Sequence, residues 1–291
     1  MGSSRVLKVK LAGALFSSAI VLLAAGGGSA LDEARKLYNV SEFEKSLEVL
    51  RHAPEKSAAA WLLTGMNYYG QADFKKATDA LEKAAALDPN NAEVALWQGR
   101  AYGRRAETSN PITAPGYASK ARQFFERSVQ LNPNDLDALS DLFEYYLEAP
   151  GFLGGGLDKA SDIAERMSRL NASEGYWAQA KIAEKRKEYR SAETHLKQAI
   201  DAAPQQVGRL IDLAKLFTRQ GKNREADQSL AEAERLAPNS PKLIYAKAEI
   251  YVKSKRNLEV ARQLLKHYMT LSLTPDDPSK SDAEKLLRQA L

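Results

Sequence analysis

Four acids stand out by their spacing. Asp137, Asp141, Glu144 and Glu148 follow one another at intervals of four, three and four, which places all four on one face of a helix. Paired carboxylates can serve acid–base chemistry, but like charges at this spacing repel by roughly a few tenths of a kcal/mol per pair, so something must offset them. Arg100 and Arg104 precede the acids, Lys181 and Lys185 follow, and Lys215 and Arg219 continue the basic series. Other reactive groups are scarce. The chain has no Cys, and its three His (His52, His195 and His267) have no second ligand at metal spacing and no HExxH pattern, so metal, thiol and cofactor chemistry find no support. Gly154-Gly155-Gly156 could present N–H groups to an anion, but Leu157-Asp158 follows where a nucleotide loop needs Lys-Ser or Lys-Thr. The glycines read as a tight turn. No enzyme is expected, unless a site is hidden in the loops.

The elements that must carry these residues are clearest in Ala58 to Asn91, AAAWLLTGMNYYGQADFKKATDALEKAAALDPNN. Trp61, Gly65 and Tyr68, then Ala77, Leu81 and Ala84, describe two short amphipathic helices, and Pro89 ends the second. The segment resembles the tetratricopeptide repeat, whose 34-residue unit carries W, G, Y, A, F, A and P at these offsets, with Leu81 in place of the usual aromatic. A hairpin this small cannot bury its own apolar face, so further copies must stack on it. Matches run through the chain: a first unit before Ala58, then Ala92–Asp135, Leu136–Ala172, Ser173–Gln205, Val207–Ser240 and Pro241–Leu273, with a last helix, Ser279–Leu291, as a cap. The expected fold is all-α, a right-handed α-α superhelix of about six to seven hairpins plus that capping helix. Residues 31–291 read as one array, with insertions near 106–116 and 149–156.

The resemblance implies that the first helix of each hairpin, helix A, lines a concave surface where a protein or peptide partner lies. Stacked A helices would then align Arg100, Glu144 and Lys181 in one rung, and Arg104, Glu148 and Lys185 in another. The ladder is either purely structural, at about 0 to 1 kcal/mol per exposed pair, or a site where polar partner groups replace one rung. Lys215 and Arg219 prolong a basic strip suited to an acidic partner segment. Trp97 and Trp177 are either partner anchors or core. Both insertions fall between helices A and B of adjacent units, so they are expected as neighbouring long loops beside Arg104, Arg105 and Glu148, with Tyr117, Phe152 and Leu153 as apolar contacts. The family's grip on a C-terminal carboxylate uses Asn at the ninth position. Here the ninth positions hold Met66, Arg100, Glu144, Lys181, Lys215 and Glu249, so that mode is not expected. The expected function is a scaffold or adaptor that binds a partner on its concave face. The alternative is a carrier for an apolar or amphiphilic small molecule held by the two long loops.

The net charge of +5 is concentrated at the N-terminus. Residues 1–30 hold Arg5, Lys8 and Lys10 and no acid, leaving 39 bases against 37 acids in the remainder. That balance argues against nucleic-acid binding, which needs a concentrated basic surface. The same 30 residues have a basic start, an apolar run from Leu11 to Ala25, and small residues through Ala30, the layout of an export signal. It reads either as a signal peptide cleaved after Ala30 or as an uncleaved anchor, and that anchor would be the only membrane contact. Either way the repeats are expected across the membrane, in the periplasm or cell envelope.

Overall fold

The computed structural model describes residues 26–53 and 56–290, and among these it holds fifteen α-helices and no strand. They pair into seven hairpins: α1 (Gly26–Asn39) with α2 (Phe43–His52), α3 (Ala58–Gly70) with α4 (Phe74–Leu87), α5 (Ala92–Thr108) with α6 (Ala114–Leu131), and α7 (Leu136–Glu148) with α8 (Leu157–Leu170). The series continues with α9 (Ala172–Lys185) and α10 (Tyr189–Ala202), α11 (Val207–Arg219) and α12 (Asn223–Leu236), and α13 (Pro241–Lys253) and α14 (Leu258–Tyr268), with α15 (Lys280–Gln289) packed on the open end. Each hairpin leans on the next, and the whole is an all-α, right-handed superhelix. Residues 1–25 of the expected export segment lie outside the described residues. Among the described residues no helix is long and apolar enough to cross a membrane.

Small residues set the close approach within hairpins. Ala77, Ala121, Ala160, Ala192, Ala226 and Ala261 occupy the same place in six successive B helices, and every one is 0% exposed. At Gly65 a Cβ would stand 2.5 Å from Leu81 Cγ, so any side chain there would push α3 off α4. The turns that enter the A helices are built as N-caps. Ser57, Asn91, Asp135, Asn171 and Ser240 accept hydrogen bonds from the first-turn N–H groups of α3, α5, α7, α9 and α13. Of the B helices, only α4 has a comparable side-chain cap, from Asp73.

The insertion near 106–116 is not a long loop. Its residues lengthen both helices, to 17 residues in α5 and 18 in α6, and leave only Ser109–Thr113 between them. Asn110 Oδ1 closes this turn by accepting from the N–H groups of Ile112 and Thr113, and Pro115 falls in the first turn of α6, where its missing N–H costs nothing. The insertion near 149–156 does form a connection. It is a single 3-10 turn, Gly151–Leu153, followed by the glycines, and the Gly156 N–H donates to Tyr146 O at 2.8 Å.

Candidate functional site: the concave face and the cleft between the ends

The A helices run side by side along the inner face, joined by ion pairs whose register differs from the one expected. Arg100 Nε donates to Asp141 at 2.5 Å and its guanidinium lies 3.9 Å from Asp137, so it does not reach Glu144. Arg104 turns to Glu107 on its own helix and covers the Phe74 ring at 5.1 Å instead of meeting Glu148. The extra turn of α5 explains this, because it offers Arg104 an acid three residues ahead. Glu148 does pair with Lys185, at 2.7 Å. Further along, Arg209 meets Glu174 at 2.5 Å, Arg219 meets Glu184, and Lys215 meets Glu249 at 3.0 Å. The basic strip of Lys185, Lys215 and Arg219 is therefore largely neutralised by acids of the neighbouring repeats.

One rung stays open. Glu144 on α7 and Lys181 on α9 face the groove, and among the described residues neither takes part in an ion pair. Lys181 lies 5.8 Å from the Trp177 ring. Glu144 keeps contact with solvent, yet protein crowds it from several sides. Desolvation, then the charge of Asp141, push its carboxyl above the ordinary range, against the pull of Lys181. Burial raises Asp141 as well and outweighs the attraction of Arg100. Burial alone would lower the Arg100 guanidinium, but the same carboxylate more than offsets that.

The two tryptophans part company. Trp177 is 6% exposed, wedged between Phe143 at 5.6 Å and the Arg209 guanidinium at 4.9 Å, so it is core rather than a partner anchor. Trp97 is half-buried, with its ring edge-on to Tyr69 at 5.4 Å and Arg100 over it at 5.0 Å. Arg105 is occupied: it donates to Tyr117 Oη at 2.6 Å and to Thr78 Oγ1 at 2.9 Å. Phe152 stands 82% exposed, so no pocket wraps it, and the expected grip between two long loops does not form.

A cleft absent from the sequence reading lies elsewhere. The superhelix brings its last segment, residues 270–282, back towards the first two hairpins, and a cavity of about 940 Å³ remains between them. Phe43, Tyr69, Phe74 and Arg104 form one wall, while Leu271, Leu273, Pro275 and Lys280 belong to the other. Tyr38 registers the approach. Burial, then the charge of Asp276, push its phenol up to about 12. More than 160 residues of chain separate the walls, so no local pattern could have announced the cleft.

Comparison with known proteins agrees with this architecture. Tetratricopeptide repeat family profiles match residues 58–91 and residues 183–250. Over these two stretches the chain matches the tetratricopeptide repeat. A tetratricopeptide repeat protein from Parabacteroides merdae has a similar solved structure, with a TM-score of 0.59 and 15% identity, over 91% of this chain and 99% of that one. Pseudomonas aeruginosa pilF is similar over 78% of this chain and 99% of its own, with a TM-score of 0.52 and 19% identity. At such identities the likeness shows the fold alone. Among curated proteins no sequence matches the chain. Tetratricopeptide repeats generally mediate protein–protein interaction.

Proposed function

We propose that the protein is an exported, non-catalytic scaffold that holds an extended peptide or a partner's surface along the concave face of its repeats. The open rung carries this reading. Arg100, Glu148 and Lys215 spend their charge on acids or bases of an adjacent repeat, whereas Glu144 and Lys181 remain available to groups that come from outside. A partner segment with a base towards Glu144 and an acid towards Lys181 would close the ladder. Export to the periplasm or cell envelope is read from the basic start and apolar run of residues 1–30. Pull-down from envelope extract tests the site: Glu144→Lys and Lys181→Glu should each weaken capture of the partner, and unchanged capture with both would exclude the open rung.

A second reading, a carrier for an apolar or amphiphilic small molecule, is favoured by one observation. The cleft of about 940 Å³ has aromatic side chains on one wall and Leu271, Leu273 and Pro275 on the other. Its volume is within the range of small-molecule sites. Native mass spectrometry of the exported chain separates the readings, since a retained small ligand belongs only to the carrier.

A further inference from the structure

Because short turns reverse the chain at every step, the A-to-B turns all emerge on one rim of the superhelix and the B-to-A turns on the other. Contacts between successive turns confirm the alignment. Glu148 and Lys185, at the ends of α7 and α9, meet at 2.7 Å, and Asp227 near the start of α12 meets Arg256 in the next A-to-B turn at 2.7 Å. The rims differ in chemistry. The B-to-A turns read DPNN, NPND, APQQ and APNS, polar stretches of which all but APQQ end in an N-cap described above. The A-to-B turns of the last three complete hairpins read KRKEYR (185–190), RQGKNR (219–224) and KSKRN (253–257), with Glu188 the one acid. Five of these cations, Arg186, Lys187, Arg190, Arg224 and Lys255, are exposed and, among the described residues, enter no ion pair. On the same rim, the turns of the two preceding hairpins end in Ile112, 91% exposed, and Phe152, 82% exposed.

Folding does not ask for this arrangement. Arg190 and Arg224 fall in the first turns of α10 and α12, where the helix dipole disfavours cations. Lys187 and Lys255 adopt φ values of 63° and 52°, left-handed values also taken by Ser41 and Ala72 in the equivalent turns of the first two hairpins and by Gly221, at 73°, in the turn between the two lysines. A side chain costs free energy there that glycine does not. The chain thus carries cations at positions where they weaken it, next to apolar tips that shield nothing.

We propose that this rim docks on an anionic lipid surface, with the five free cations against headgroup phosphates and Ile112 and Phe152 in the interfacial layer. A nucleic acid or another polyanion would be served by the cations alone; exposed apolar tips match a partner with hydrocarbon beneath its charge. This contact is separate from the concave face and stands whether or not that face binds a peptide.

Flotation of the full chain with phosphatidylcholine vesicles, and with phosphatidylcholine–phosphatidylglycerol vesicles, tests it. Two variants accompany the wild type: Lys187→Gly/Lys255→Gly, which removes two charges from strained positions, and Ile112→Ser/Phe152→Ser. A DNA duplex serves as a polyanion without an apolar layer. The mixed vesicles should bind more tightly. The glycine variant should weaken that binding about 25-fold, roughly fivefold per charge, with an unchanged or higher Tm. The serine variant should weaken vesicle binding but not DNA binding. All variants share one N-terminus, so binding through residues 1–30 cannot create these differences. Equal binding to both vesicle types would overturn the proposal, as would a glycine variant that binds vesicles like wild type. Vesicle binding insensitive to the serine variant would overturn it in favour of a soluble polyanion.

Discussion

Glu144 carries a charge that the free chain would be more stable without. Its carboxyl is raised by desolvation and by Asp141, so the native state binds that proton more tightly than the unfolded chain does. The sign follows from linkage: this group adds stability as pH falls through its raised range and withdraws it as pH rises above. Glu144→Gln should therefore stabilise the protein at neutral pH, by less than about 1 kcal/mol because the group stays in contact with solvent. It should also flatten the rise in stability towards mildly acidic pH. Thermal denaturation across that pH range checks both effects. The same substitution should weaken partner capture, so stability and binding would move in opposite directions, as at a site held for function. The acidic face itself was legible, since spacings of four, three and four allow only one helical face. Which base meets which acid was not. That depends on the offset between stacked helices and on the extra turn of α5, which drew Arg104 to Glu107.

At the scale of elements, the junction of α9 and α11 is joined by two ion pairs, Arg209 with Glu174 and Arg219 with Glu184. Arg209 is 7% exposed, reaches Glu174 at 2.5 Å and Asp212 at 3.3 Å, and covers Trp177. Its Nε has no hydrogen-bond partner, so desolvation is not fully offset. Arg209→Ala should cost about 3 kcal/mol by leaving Glu174 and Asp212 unpaired at the edge of a cavity. Arg209→Met keeps the volume over Trp177 and should lose less, and urea denaturation of the two variants distinguishes charge from packing. Hairpin boundaries were readable because Ala77, Ala121, Ala160, Ala192, Ala226 and Ala261 recur where only a small side chain fits. The insertion near 106–116 misled for a physical reason. Pro111, Pro115 and Gly116 look like a loop, yet proline is welcome in a helix's first turn, and α6 begins at Ala114. For Trp177 the sequence left anchor and core both open, because helical spacing does not say which side of an A helix the next hairpin will cover; the structure places it in the core.

Across the whole molecule, seven hairpins carry the chain far enough round for residues 270–282 to face the first two hairpins, which turns an open solenoid into a groove with a cleft at its closure. The repeat count was in the sequence, but the closure was not, because it sums small rotations at every interface. The groove, its open rung and the cleft all face inward, whereas the exposed sides of B helices such as α8 face out. Site-specific photo-crosslinking in envelope extract tests this division directly, with the reactive residue placed at position 181 in the groove, at 69 beside the cleft, or at 165 on the exposed surface of α8. The account predicts that one partner is captured from positions 181 and 69 and not from 165. Capture from 165 with nothing at 181 or 69 would contradict it.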